Sequence, residues 1–525
     1  MAIDSRLPEN NQVPTVGIIT TWIDSAYWTS VLSGASDALR EAGASVVCFT
    51  LGFSDAVPDR RRGETDPFFE LANSPALDGL IVPTAASFAA GASGFFKART
   101  GLPMVSVGEV VPEVPSVVVD NVAGTKTLIR YLIEKCRFTR IAYIRGPETN
   151  VEANARYQAY VDTLKDKEIE PNTKLVATGN WMEPSGARAA LQLLDVPKEE
   201  RPDVIVAAND LMALGALRAV RERGLLVPED IAIAGFDDIE ASQGLPPLTT
   251  VRQPTYEIGR CAAGLVLDKI HGHPVREKVV YPAELVQRES TPLVGPRPKT
   301  TTTGSQPPPP ATNSSRSTSI RFLELGHAPP AMTASSKLIK LLREDVYPHL
   351  KNKPEIRDEM DELLSDLESL IKQTAIEAQS YHKAAESAQA QALLHLRRAS
   401  ARASSLDMLI DDISELLPAL NMDAFYLTLF QKGDPSRARL VLANESGRRI
   451  PLRTGGLEFE PRWLVPPSLR RRSDATTSVA QPLQYGGVRL GFVVMRGNLY
   501  DAQLLGDVCQ VVSMALSRLE THAGQ

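Results

Sequence analysis

The feature that most constrains this chain is a repeat: short apolar runs of strand length alternate with stretches of helical spacing. Its clearest instance is residues 204–238. Val204-Ile-Val-Ala-Ala208 is followed by Asn209-Asp210, and either side chain could cap a helix. Leu211, Leu214, Leu217 and Val220 then recur at helical spacing as far as Gly224, a C-terminal stop. Asp210 is the expected cap. Ile231-Ala-Ile-Ala234 is a second apolar run, closed by Gly235-Phe-Asp-Asp238. Polar residues gather just past each strand end, the edge at which open parallel sheets bind ligands.

The same alternation begins near the N-terminus. Strands are expected over residues 16–20, 46–49, 79–83, 104–107 and 117–119, with a helix over 27–42. It restarts after a helix at 121–135, with a strand at 141–144 and helices at 152–165 and 186–194. The expectation is an α/β fold of two lobes with parallel sheets, spanning residues 14–292, with a ligand cleft between the lobes. Residues 1–13 read as a disordered tail. With 525 residues the chain needs further units. Its net charge of -6 gives no support for a protein-wide nucleic-acid surface. The scattered Cys48, Cys136, Cys261 and Cys509 have no metal or redox spacing and fit a reducing compartment. No signal pattern and no bilayer-spanning apolar run are seen, so a cytoplasmic location is expected.

At this point the residues carry a resemblance. Val119-Asp-Asn121, Ile141-Ala-Tyr-Ile-Arg-Gly-Pro147, Ala208-Asn-Asp-Leu-Met-Ala-Leu-Gly-Ala216, the run from Val227-Pro228 to Asp237-Asp238, Pro247-Leu-Thr-Thr-Val251 and Arg288-Glu-Ser-Thr291 occur in one order. Together they resemble the effector-binding domain of LacI/GalR repressors, within the periplasmic-binding-protein-like superfamily. Several motifs in order are far more specific than any one of them. The resemblance implies a small polar ligand held between the lobes. It places Tyr27 and Trp28 on the first lobe, with Trp22 on the loop before them, and Arg156, Asn209 and Asp237 on the second. A guanidinium, an amide and a carboxylate can fork onto vicinal hydroxyls or onto a ring bearing donors and acceptors. Singly, each of these three has a plainer role as surface arginine, turn residue or cap. Tyr27 and Trp28 could equally belong to the core. Ahead of the first strand stand about a dozen polar residues, too few for the helix-turn-helix of those repressors. No direct DNA binding is therefore expected.

Residues 293–334 turn abruptly to Pro, Thr and Ser and read as an extended linker. Residues 335–400 read as a helical signalling or coiled-coil segment. Its seam is Ile356, Met360, Leu363, Leu367, Leu370 and Thr374, which suggests a homodimer. The alternative is a helix packed on its own neighbours. Residues 401–520, helix then antiparallel strands then helix, resemble an α+β GAF domain through Pro482-Leu483, Gly486-Gly487 and Gly491.

Catalysis finds little support. There is no phosphate loop, no nucleophile elbow and no metal spacing among the seven histidines, so no enzyme, metal or cofactor is expected. The reading that follows is a cytoplasmic sensor that relays lobe closure, through a dimeric helix and the GAF-like domain, to a downstream signalling protein. Two alternatives stand beside it. One is a LacI-type transcriptional regulator without its own DNA-binding domain; the other is the sensory part of a histidine kinase or diguanylate cyclase with its catalytic module missing.

Overall fold

In the computed structural model the described residues are 13–20, 26–50, 71, 74–83, 101–244, 246–292, 354–431, 434–469, 476–497 and 502–523. The expected tail over 1–12, Trp22, and the linker with the start of the helical segment (293–353) lie outside them.

Lobe 1 is built on parallel strands β1 (Thr15–Thr20), β2 (Ser45–Thr50), β3 (Gly79–Pro83), β4 (Met104–Val107) and β5 (Ser116–Val119). Helix α1 (Ala26–Glu41) follows β1. The chain then crosses to lobe 2. Helix α2 (Asn121–Glu134) leads to β6 (Ile141–Arg145), α3 (Val151–Asp166), β7 (Val176–Thr178), α4 (Glu183–Leu194), β8 (Val204–Ala207), α5 (Asp210–Glu222) and β9 (Ala232–Ala234). These strands form a parallel sheet in the order β7-β6-β8-β9. Their residues are apolar on both faces because helices cover both, and β6 and β8 are buried along nearly their whole length.

A short ribbon, β10 (Thr250–Arg252), carries the chain back to α6 (Thr255–Ile270) and β11 (Lys278–Tyr281) of lobe 1. It then returns through β12 (Glu284–Val286), which pairs antiparallel with β10. Strand β11 pairs with β5, and α6 packs on α1. That helix contact is very close: a Cβ on Gly34 would stand 2.0 Å from the Tyr256 carbonyl oxygen, so only glycine fits there.

The C-terminal region comprises α7 (Pro354–Arg402), α8 (Leu406–Leu416), β13 (Met422–Gln431), β14 (Asp434–Glu445), β15 (Arg448–Arg449), β16 (Leu457–Phe459), β17 (Thr477–Tyr485), β18 (Val488–Gly497) and α9 (Ala502–Ala523). Strands β17, β18, β13 and β14 run antiparallel in that order, and the tight turn at Gly486-Gly487 joins β17 to β18. This sheet does not stand alone. Strand β17 pairs parallel with β2, Thr477 beside Val46 and Ala480 beside Phe49, making one sheet of twelve strands. The Val46 amide donates to the Thr476 carbonyl at 2.7 Å. One apolar cluster unites Ile19, Phe49, Leu80 and Val82 of lobe 1 with Tyr426, Leu440, Ala480 and Phe492. The sequence reading separated residues 14–292 from 401–520. By compactness residues 399–525 group with residues 1–298 in one unit, and residues 299–398 form another.

Candidate functional site

The best-defined polar constellation lies where the two lobes meet. Its first element is Asp210, at the start of α5. Asn209, not Asp210, caps this helix, its Oδ1 accepting from the Met212 amide at 3.0 Å. That corrects the expected cap. Extended backbone at Asn209 aims its short amide side chain back at the first turn. The same side chain donates through Nδ2 to the Trp181 carbonyl at 3.0 Å, so Asn209 is occupied in holding two loops together. Asp210 is wholly buried and braces the next loop, accepting from the Thr250 hydroxyl at 2.6 Å and the Ile239 amide at 3.0 Å. A Cβ on Gly235 would stand 2.1 Å from this carboxylate, which explains the glycine. Burial and the nearby Asp237 charge push the Asp210 carboxyl well above its ordinary value.

That brace sets the turn Phe236-Asp237-Asp238, in which both aspartates have positive φ, 125° and 60°. Asp237 accepts from the Gln253 amide at 2.6 Å and lies 3.5 Å from Arg156 Nη1. Burial pushes its carboxyl up to about 7, against the opposing pull of Arg156. Arg156, on α3, is only 4% exposed. Its Nε donates to Asn121 Oδ1 at 2.7 Å and its Nη1 to the Ala208 carbonyl at 2.6 Å. The guanidinium lies over the Phe236 ring, 3.9 Å from its centroid, and 5.8 Å from that of Trp181. Asn121 in turn donates to Glu152 at 3.0 Å, and burial raises the Glu152 carboxyl as well.

Lobe 1 reaches this network through Tyr27, whose hydroxyl donates to Gln253 Oε1 at 3.4 Å. Burial and the charges of Glu152 and Asp237 hold that hydroxyl well above its ordinary pKa, so it stays a donor. Trp28 takes the core alternative that the sequence left open. It packs among Val31, Ala35 and Ile258 in the lobe 1 core and is 7% exposed, which leaves an indole little surface to stack on a ligand. Its ring meets Tyr27 edge-on, 5.0 Å between centroids, and so supports Tyr27 from behind.

The structure thus gathers Tyr27, Arg156 and Asp237 and sets Asn209 beside them as a brace. It adds Asn121, Glu152, Trp181, Phe236 and Gln253, which sequence reasoning did not assign. Glu152 had a signal, one helical turn before Arg156 on the same face. Asn121 and Phe236 lay inside quoted motifs without a role. Guanidinium, carboxylates, carboxamides and aromatic faces at one point can hold a compact ligand rich in hydroxyls or ring heteroatoms. Among the described residues no group of histidine, cysteine and carboxylate side chains is placed to hold a metal ion.

The family described as a periplasmic binding protein-like domain matches residues 129–291. The HTH-type transcriptional repressor CytR of Escherichia coli is 33% identical over 291 residues, 54% of this chain and 82% of that repressor. The chain belongs to the LacI family of regulators. Within that family, the HTH-type repressor PurR of Haemophilus influenzae is 28% identical over 287 residues, 53% of this chain and 82% of PurR. The HTH-type regulator CelR of Thermobifida fusca is 40% identical over 200 residues, 37% of this chain and 57% of CelR. A solved CelR-cellobiose complex aligns with 54% of this chain and 85% of its own at 29% identity and a TM-score of 0.46. These LacI-family relatives are HTH-type regulators, so the expectation of no direct DNA binding draws no support from them. No helix among the described residues is long and apolar enough to cross a membrane.

Proposed function

We propose that this chain is a cytoplasmic, non-enzymatic regulatory sensor that binds a small polar molecule, sugar- or nucleoside-like, between its lobes. The observation that carries this is Arg156: a charge 4% exposed, oriented by Asn121 and Ala208 and shared with Asp237. Holding a charge away from water is costly unless it is paired, and a perturbed ionisable cluster at a junction of lobes is a candidate for function. Tyr27, Arg156 and Asp237 contact the ligand, and Asn209 keeps the loops in place. Mass spectrometry of small molecules released from the purified full chain tests this. A polar sugar or nucleoside is expected; a purely apolar molecule would count against it.

The C-terminal sheet flanked by α8 and α9 serves as a GAF-like output domain, read by a downstream protein. Supporting this is its four-strand order and the terminal helix. A transcriptional regulator that itself contacts DNA is the second reading, favoured by the HTH-type relatives; a low-salt DNA-binding assay distinguishes it. Helix α7 pairs with a second copy of the chain through Leu363, Leu367 and Leu370, which are 68%, 41% and 62% exposed at heptad spacing. Leu363→Cys should then give a covalent dimer under mild oxidation, since facing seam positions lie within disulfide reach. A chain that stays monomeric on a non-reducing gel removes the helix from the dimer.

A further inference from the structure

A cavity borders the polar network just described and shares Gln253 with it. It measures about 360 Å³ and is walled by Arg252, Tyr256, Glu257, Tyr281, Pro282 and Glu284. That volume falls in the range of small-molecule sites. Its walls come from both sides of the hinge. Tyr256 and Glu257 open α6 and Tyr281 ends β11, all in lobe 1. Arg252 and Glu284 face each other across the β10–β12 ribbon, whose Val251 and Leu285 belong to the lobe 2 core.

The walls are pre-set. Asp37 fixes the Tyr256 hydroxyl at 2.9 Å. Burial and the adjoining Cys261 thiol push the Tyr281 hydroxyl up to about 12. The Arg252 Nε donates to Asp238 at 2.7 Å, and Asp238 is also held by Arg288 at 2.6 Å. The cavity therefore offers two tyrosine rings and a proline for a flat apolar body, one guanidinium for an anion, and two exposed carboxylates for a cation.

We propose that this hinge cavity is a second small-molecule site, taking a compact aromatic zwitterion of the α-amino-acid type. The ring lies between Tyr256 and Tyr281, the carboxylate meets Arg252, and the ammonium meets Glu257 and Glu284. Occupancy is linked to the cleft through adjacent residues. Asp237 faces Arg156 while Asp238 holds Arg252, and Gln253 lines the cavity while its side chain joins Tyr27 to Asp237. A ligand that wedges the hinge at one lobe angle must change cleft affinity, and the cleft ligand must change hinge affinity by the same factor.

Calorimetry on the full chain tests the site with L-phenylalanine, phenethylamine and 3-phenylpropionate, which share the ring and differ in charge. L-Phenylalanine should bind more tightly than either singly charged probe. The double variant Glu257→Gln/Glu284→Gln, both positions being exposed and tolerant, should weaken it about tenfold or more. Arg156→Ala in the cleft should leave it bound. The site is overturned if L-phenylalanine gives no heat up to about 10 mM. It is equally overturned if the double variant binds like wild type, or if Arg156→Ala abolishes binding and so moves the probe to the cleft.

Discussion

The two lobes share an architecture and complete it differently. Lobe 2 closes on itself: its four strands are wrapped by α2 to α5, and its core draws on residues of those elements and the hinge ribbon. Lobe 1 has α1 and α6 on one face of its sheet, while its β2 edge and part of the other face are finished by the C-terminal region. An unpaired strand edge invites other chains, and here β17 occupies it. Lobe 2 concentrates buried ionisable side chains instead, in Arg156, Asp210, Asp237 and Glu152. The difference is structural: lobe 2 gathers buried ionisable side chains, and lobe 1 carries the C-terminal strands as an extension of its own sheet. Pairing of β17 with β2 makes the C-terminal sheet continuous with lobe 1.

The sharpest way to break this comparison is to end the chain after residue 292. Hydrogen exchange should then accelerate strongly at β2 amides, which lose β17 and the shared apolar cover, while β6 and β8 keep their protection. Unchanged β2 exchange would show that lobe 1 completes itself as lobe 2 does.

A smaller effect sharpens the lobe 2 side. The Asp237 carboxyl is raised to about 7 from 3.8, so between these values the folded chain binds more protons than the unfolded chain. Stability of the unliganded protein should therefore fall as pH rises from about 4 to about 7, and level off above. Asp210 and Glu152, raised in the same direction, add to the fall. In Asp237→Asn the part due to this residue should vanish, giving a flatter curve of melting temperature against pH. A parallel curve would place the titration elsewhere.

Much of this was legible because burial leaves a period in the sequence. Strands covered on both faces read as Val204-Ile-Val-Ala and Ile141-Ala-Tyr-Ile, and each appears where the apolar run stands. The three-residue strands β10 and β12 were missed, since runs so short carry no period. Junction β2–β17 was illegible for another reason. Apolar residues at 46–49 and 479–480 announce that these strands are buried, but nothing local names a partner more than 400 residues away. In the candidate site, Arg156 and Asp237 were named through ordered motifs, and the structure sets them 3.5 Å apart. For Trp28 and Asn209 the sequence left plain structural uses open, because an aromatic on a first helical turn and an amide after a strand serve packing or capping as readily as recognition, and the geometry sets Trp28 in the lobe 1 core and Asn209 at the cap of α5.

The central claim is that the Arg156–Asp237 pair is the recognition point. The direct test is calorimetry of the molecule recovered from purified protein, titrated into wild type, Arg156→Ala and Asp237→Ala. Losing a charged hydrogen bond should weaken binding about tenfold to a hundredfold in each variant. Wild-type affinity in both would contradict the claim and leave the pair as an internal strut of lobe 2.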